Sequence, residues 1–520
     1  MTKKEKIFFG ILGALVLIIY GQSLAGGFVF DDRGIAEHQE LFTGLDQVVQ
    51  VATHPYWIVE AGLYRPVTLL SYLFNTVFLG EGAFGFHLIN LFLYFGICAC
   101  IYLLVKRLFE NEWLAYLSAL IFLVLPIHTE VVANISGRSE LLALFFSLLL
   151  LLEFSKEKIN FWLAGLWMFL AIGAKETAVA VVPLAVLIMV IQKRKVLSPA
   201  TLGVAMGASI YFILRLLVLG PAHFLGVETS IIENPLLFAS VPDRIATGLQ
   251  ILWIYVSKTF WPANLCSDYS YNQIPIASFM SAGAILGALV LFAAIVSFFF
   301  FLRRRPIISF ASAIFLASFI PVSNLIFPVG TIAVERLFFY PSLGFVLFVA
   351  YVLNSSLTLP LSGEGKNWIT PLIKGVGGLL IIIYVIISFQ RQSVWMSEEK
   401  LFLNAAECAP KSVLSLSNAG TVYYFRGDFE TAAKYLEASK AIKPVYSKGL
   451  NNLGLVYWKQ GRPREAEQMY HESLKQKYPY PGAIENLTLL YLSEKNDEKA
   501  LHWLKIMYPN VGDSALRSLF

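Results

Sequence analysis

The side chains best suited to chemistry in this 520-residue chain are two adjacent carboxylates, Asp31 and Asp32, and three arginines, Arg65, Arg138 and Arg336. Neighbouring carboxylates repel, which can raise one pKa and suits a general base or a metal ligand. A guanidinium offers a planar fork of donors that matches phosphate oxygens. Other polar groups stand close by in sequence. His87 and Asn90 are three apart and share a helix face. His128 and Glu130 lie in Pro126-Ile127-His128-Thr129-Glu130, Lys175 and Glu176 are adjacent, and Glu335 and Tyr340 flank Arg336. Each also has a structural reading: a helix cap for the aspartates, an interfacial anchor or an ion pair with Glu130 or Glu335 for an arginine, a packing role for a histidine. Their side of the membrane decides between the two.

The chain is 57% hydrophobic and 14% charged, against roughly 25% charged in soluble domains. This excludes a disordered or fibrous protein and argues against a soluble enzyme. Of the charged side chains, 31 lie in residues 391–520 and 44 in the first 390. The chain is therefore two materials, a membrane-embedded body and a water-soluble domain large enough for its own core. The net charge of +5 includes no basic run longer than three, so no nucleic-acid partner is expected. Cys98 and Cys100 fall in an apolar run, Cys266 and Cys408 stand alone, and neither a zinc spacing nor a disulfide framework is read from them.

Apolar runs predict eleven membrane spans, at about 7–30, 86–108, 113–127, 141–154, 161–174, 177–191, 199–219, 277–302, 307–327, 337–353 and 371–388. Lys3, Lys4 and Lys6 keep the N-terminus cytoplasmic. Lys106-Arg107, Lys156 with Lys158, Lys193-Arg194-Lys195, Arg303-Arg304-Arg305 and Lys366 then share that side, as the positive-inside bias requires. The segment 244–261 is long enough to cross but would put Arg303 to Arg305 outside. It is expected to lie in the interface. The soluble tail is external. On that same side, which should be poor in charge, fall Asp31, Asp32, Arg65, His128, Glu130, Arg138, Lys175, Glu176, Glu335 and Arg336. Charges beside apolar spans mark functional sites by default, and together they favour a site for an anionic headgroup with a base beside it.

The tail repeats itself. Asn418, Asn452 and Asn486 are 34 apart, as are Ala432, Ala466 and Ala500, and Tyr423, Tyr457 and Tyr491. This period, with Gly427 and Gly461 at the turns, is the tetratricopeptide signature. The expected domains are a membrane domain over 1–390, a linker over 391–411, three repeats over 412–512 and a tail over 513–520. The fold class is all-α: a polytopic helical bundle followed by an α-solenoid.

Taken in order, Phe30-Asp31-Asp32, Tyr64-Arg65-Pro66, His87 to Asn90, Pro126 to Val132, Ser136-Gly137-Arg138, Ala174-Lys175-Glu176, Phe260-Trp261-Pro262 and Glu335-Arg336 through Gly344, then the repeats, resemble the TMTC proteins. These are the transmembrane and tetratricopeptide-repeat O-mannosyltransferases and their bacterial relatives. The resemblance implies a GT-C glycosyltransferase fold with its active site at the non-cytosolic face. It implies transfer of a sugar, usually with inversion, from a polyprenyl-phosphate carrier to an external protein or glycan acceptor. It also assigns the base to an acidic residue of the first external loop, Asp31 or Asp32. Arg65, Arg138 and Arg336 would bind the carrier phosphate, and the membrane helices its apolar chain. His87, Asn90, His128, Glu130, Lys175, Glu176, Glu335 and Tyr340 would support the site. The aspartates with Glu130 leave room for a divalent metal, although several enzymes of this fold class work without one. Three repeats, against the longer arrays of animal members, and the absence of a readable endoplasmic-reticulum retention signal point to the bacterial cytoplasmic membrane. The rival readings are a ligase or polymerase of lipid-linked glycans, a transporter or flippase for such a lipid, and a membrane-anchored scaffold.

Overall fold

The computed structural model describes residues 1–56, 62–224, 230–357 and 369–517, and among these the regular elements are helices alone. Lys366 and residues 518–520 lie outside the described residues. Helices longer than ten residues are numbered here in chain order: α1 Lys3–Tyr20, α2 Pro66–Leu79, α3 Ala83–Phe109, α4 Glu112–Val124, α5 Arg138–Phe154, α6 Phe161–Ala174, α7 Val181–Ile191, α8 Pro199–His223, α9 Val241–Phe260, α10 Ala282–Phe301, α11 Pro306–Phe319, α12 Phe339–Leu357 and α13 Ile369–Gln392. The long apolar helices end there. The helices that follow are α14 Glu398–Cys408, α15 Val413–Phe425, α16 Phe429–Ala441, α17 Ser447–Lys459, α18 Pro463–Leu474, α19 Gly482–Ser493 and α20 Asp497–Met507.

Several starts are written in the sequence. Side-chain oxygens of Asn111, Asn160, Ser198, Ser240 and Ser281 accept from the first-turn amides of α4, α6, α8, α9 and α10. Such caps satisfy amides that an apolar surrounding would otherwise leave unpaired. Pro66 opens α2, as its fixed φ favours. Helices α6 and α8 touch through glycines: a Cβ on Gly207 would lie 2.1 Å from the Gly165 carbonyl oxygen, and one on Gly203 2.3 Å from that of Phe161. Small residues four apart let two membrane helices approach at backbone distance.

Among the described residues seven helical segments are long and apolar enough to cross a bilayer, or eight if Glu112–Val124 and Pro126–Ala133, bent by 56°, form one broken span. By length and composition the helices do not confirm the expected count of eleven. Segments Phe161–Ala174, Glu176–Ile191 and Pro306–Val322 are apolar but short; a 14-residue helix rises only about 21 Å, against a hydrocarbon core of about 30 Å. Composition counted each apolar run as a crossing, whereas a non-helical break at Lys175 and a 3-10 turn at Ile320–Val322 interrupt the helices. Segment 244–261 falls in α9, which is not among the helices apolar enough to cross.

The basic loops gather at one end of the bundle. Lys106 Nζ lies 3.1 Å from Glu5, Arg107 donates to the Leu152 carbonyl, Arg194 donates to the Lys156 carbonyl, and Phe109 packs on Phe310 just beyond Arg303 to Arg305. Asn90 sits on the same helix as Lys106, about 24 Å away along its axis. The clusters described below occupy that far end.

The repeats pair as α15/α16, α17/α18 and α19/α20. Ala432, Ala466 and Ala500, where the helices of each pair cross, are all fully buried. The intra-repeat turns place Gly427 at φ 79°, Gly461 at φ 74° and, one period on, Lys495 at φ 59°. The expected linker is itself ordered. Residues 393–408 form a 3-10 turn and α14, which packs against α15 and carries a disulfide, Cys408 to Cys266, with Cα atoms 5.8 Å apart. The reading of no disulfide framework is thereby corrected: the partners are 142 residues apart, and no local spacing reveals such a pair.

Candidate active site

The two aspartates do different things. The chain enters them through Phe30, whose φ of 56° is left-handed, a conformation that costs a non-glycine residue roughly 1–3 kcal/mol and clusters at functional sites. Asp31 keeps 41% of its side chain exposed and accepts from Arg336 Nη1 at 2.8 Å. Asp32 is fully buried and accepts from the backbone N–H groups of Val29 at 3.3 Å, Ile135 at 3.2 Å and Ser136 at 2.6 Å. It ties the first loop to the turn that precedes α5. Burial pushes its carboxyl up to about 7, with those three backbone donors acting in the opposite direction.

Arg336 lies between two carboxylates. Its Nη1 is also 3.4 Å from Glu130 Oε1, and its backbone N–H donates to Glu130 Oε2 at 3.1 Å. Glu130 is buried at the broken end of the α4 span. Glu335 points elsewhere: it is buried and accepts from the Cys266 N–H at 2.6 Å and the Tyr269 hydroxyl at 2.7 Å.

A second cluster centres on Glu176. Its carboxylate takes Arg65 Nε at 3.3 Å and Arg215 Nη1 at 3.2 Å. Arg215 also donates to the Gly62 carbonyl at 2.7 Å, and the Arg65 guanidinium lies over the Tyr56 ring. Lys175 pairs with Glu140. Charge interactions connect Glu140 with both Arg65 and Arg336, and Lys175 with Arg336, so the clusters are neighbours. Tyr340 is buried and lines a small cavity with Glu140 and Thr177.

Arg138 does not join them. It is fully buried and donates to Asn90 Oδ1 at 2.9 Å, Asn75 Oδ1 at 3.1 Å, the Phe86 carbonyl at 2.6 Å and the Ser71 carbonyl at 3.3 Å, between the rings of Tyr72 and Phe86. Of the three arginines expected at one phosphate, the structure sets this one apart from Arg65 and Arg336, with its fork taken by protein acceptors. A Cβ on the preceding Gly137 would lie 2.2 Å from the Val131 carbonyl oxygen, which fixes this turn tightly against α4's continuation. Asn90 holds the turn from the other side, donating to the Asn134 carbonyl at 3.1 Å. His87 is buried beneath Gly26. His128 is buried between Tyr94 and Ser342, its Nδ1 3.0 Å from the Tyr94 hydroxyl and its Nε2 2.7 Å from Ser342 Oγ. The His128 contacts brace Tyr94 against Ser342.

The donor set for a divalent metal at Asp31, Asp32 and Glu130 does not fit. The Arg336 guanidinium occupies the space between Asp31 and Glu130, and Asp32 turns its oxygens to the backbone. Among the described residues no group of three His, Cys, Asp or Glu side chains could hold a metal ion.

Sequence reasoning overlooked Arg215, Glu140, Glu398 and the Cys266–Cys408 pair. Arg215 carried a legible signal, an arginine inside an apolar run. Glu398 carried none, since it lies in an ordinary polar stretch. By formal charge, the Arg65–Arg215–Glu176 cluster has one excess positive charge and the Asp31–Arg336–Glu130 cluster one excess negative charge. The site thus brings a cluster of net positive formal charge close to a partly exposed carboxylate, Asp31.

Fold and site define a polytopic helical membrane protein with buried ion-pair clusters at one end and tetratricopeptide repeats docked there. Residues 67–218 match the family model described as dolichyl-phosphate-mannose-protein mannosyltransferase, and residues 449–475 match a tetratricopeptide-repeat model. The chain is 28% identical over 449 residues to a protein O-mannosyl-transferase of Caenorhabditis elegans, covering 84% of this chain and 63% of that one. It is 27% identical to protein O-mannosyl-transferase TMTC3 of Mus musculus, covering 84% and 51%, and 26% identical to TMTC4 of Homo sapiens, covering 82% and 65%. It spans half to two thirds of the length of these relatives. The TMTC resemblance read from the motifs is borne out by these matches.

Proposed function

We propose that the protein is a membrane glycosyltransferase that moves a hexose, mannose foremost, from a polyprenyl- or dolichyl-phosphate carrier to an acceptor hydroxyl. The acceptor is a protein serine or threonine at the non-cytosolic face. The observation that carries this reading is the partly exposed Asp31 carboxylate, held by Arg336 near the Arg65–Arg215–Glu176 cluster of net positive formal charge.

The acceptor hydroxyl gives its proton to Asp31 as its oxygen attacks the anomeric carbon from the face opposite the phosphate. The bond from that carbon to the phosphate oxygen breaks, and the carrier phosphate leaves with the electron pair. The product glycoside is inverted. Arg65, with Arg215 behind it, receives the phosphate, while Arg336 keeps Asp31 in place. Asp32, Arg138, Asn90, His87 and His128 hold the surrounding turns. The basic loops face the cytoplasm, and the clusters and repeats face the exterior of a bacterial cytoplasmic membrane. A disulfide between the loop after α9 and the helix before the repeats supports that orientation, since such bonds persist in oxidising compartments.

The test is to incubate the purified full chain with polyprenyl-phosphate mannose or glucose and candidate acceptor proteins, followed by mass spectrometry. Hexose on serine or threonine, lost in Asp31→Asn, is the expected result. Unconsumed donor with every acceptor would sink the proposal and favour a carrier of lipid-linked sugars.

A further inference from the structure

Helix α14, in a stretch whose sequence looks like a linker, is bonded to the neighbours of both halves of the Asp31–Arg336 pair: directly to Phe30 and Arg33, and through Cys266 to Glu335. At its N-terminal end Glu398 forms an ion pair with Arg33 and accepts the Phe30 N–H at 3.3 Å. Phe30 is the left-handed residue that turns Asp31 outward. Val29 and Phe30 pack with Trp395, Leu401 and Phe402 of the same segment, the Phe30 and Phe402 rings edge to face at 6.4 Å. The Gly27 N–H donates to the Met396 carbonyl. At its C-terminal end Cys408 is bonded to Cys266. The Cys266 N–H and the Tyr269 hydroxyl both donate to Glu335, the residue before Arg336.

One rigid rod of eleven residues therefore references the carboxylate through Glu398 and the guanidinium through the disulfide. A helix of this length is a spacer of about 16 Å whose length is fixed by its backbone hydrogen bonds. The two loops it joins come from opposite ends of the membrane domain's sequence and share no other covalent brace among the described residues. A left-handed phenylalanine persists only where its surroundings over-determine it, and here Glu398 supplies the hydrogen bond and Phe402 the packing.

We propose that α14 is the positioning element of the site, with Glu398 setting the Asp31 loop and the Cys266–Cys408 disulfide setting the Glu335–Arg336 turn. Neither touches the reacting atoms. The consequence for catalysis rests on the glycosyltransferase reading; the positioning itself does not. Loss of Glu398 releases the 28–33 loop, and loss of the disulfide releases residues 332–338, each without unfolding the bundle.

Amide hydrogen exchange on the full chain in lipid nanodiscs tests this without any substrate. Glu398→Ala, and separately Arg33→Ala as a second route to the same break, are expected to speed exchange in 28–33 about tenfold while the α3 and α5 amides stay protected. The paired change Cys266→Ser with Cys408→Ser, or reduction of the wild-type protein by dithiothreitol, is expected to do the same at 332–338. Unchanged exchange at both loops would overturn the proposal. Where transfer is measurable, the same variants should lower kcat more than they raise KM. Full kcat with a mobile 28–33 loop would refute the positioning role. The exchange pattern in the variants, with no sugar transferred by the wild-type protein, would overturn the functional reading and leave the brace standing.

Discussion

Arg336 and Asp31 are 305 residues apart in the chain and 2.8 Å apart in space. The same guanidinium reaches Glu130, so one arginine from the start of the α12 span joins the first external loop to the broken end of the α4 span. Asp32, next in sequence, is turned into the protein and shares none of this. The pair that looks symmetric in sequence is divided: one carboxylate faces out to Arg336, the other is held by backbone amides.

Asp31→Asn should reduce sugar transfer by about a thousandfold, because the amide cannot take a proton from the acceptor. Its thermal stability should stay close to wild type, since a half-exposed ion pair contributes little, within about 1 kcal/mol. Initial rates beside a melting curve check both. Retained activity would remove Asp31 from the role of base.

Asp32→Ala should do the reverse of a catalytic mutation and unfold the protein more readily. It leaves the amides of Val29, Ile135 and Ser136 without their acceptor, at a cost of about 3 kcal/mol or more. A fall in melting temperature with much-reduced yield is expected. A variant as stable as wild type would contradict the structural role.

The Asp32 carboxyl also predicts a pH dependence. Its folded pKa of about 7 lies above the ordinary 3.8, so over that interval the fold holds a proton that the unfolded chain releases. The stability it contributes is fully present below about 4 and is lost as pH rises through about 7. Melting temperatures between pH 5 and 8 should therefore decline for wild type, and the decline should be shallower in Asp32→Asn, which cannot ionise. Equal slopes would dispose of the assignment.

Arg138→Ala should act through stability rather than donor binding. It strands buried acceptors on Asn75, Asn90 and the Ser71 and Phe86 carbonyls, costing at least about 2 kcal/mol. Arg65→Ala, in the Arg65–Arg215–Glu176 cluster, should instead raise KM for the lipid donor. A melting assay and a KM comparison separate the two arginines; a normal melting temperature with weakened donor binding in Arg138→Ala would restore it to the phosphate site.

Thiol counting provides a check free of any functional assumption. Of the four cysteines, Cys98 and Cys100 are free and buried in α3, and Cys266 is bonded to Cys408. Denatured but unreduced protein should take up two maleimide labels, and four after reduction. Four labels before reduction would dismiss the disulfide.

The sequence by itself determined what depends on near neighbours. Apolar runs, caps such as Asn111 and Asn160, and the 34-residue period of Ala432, Ala466 and Ala500 specify helices and repeats because a helix is held by bonds four residues apart. The improbable charges at Asp31, Arg65, Glu130, Lys175 and Arg336 were legible for a similar reason, since solvation by lipid penalises each one where it stands. Only the tertiary structure decided how those charges are partnered. That Asp31 faces out and Asp32 in, that Arg138 is consumed by Asn75 and Asn90, that Arg215 shares Glu176 with Arg65, and that Cys408 reaches back to Cys266 all depend on contacts between segments separated by tens to hundreds of residues. Local periodicity carries no record of such contacts. Nor does it mark where an apolar run is broken, as at Lys175 and at Ile320–Val322.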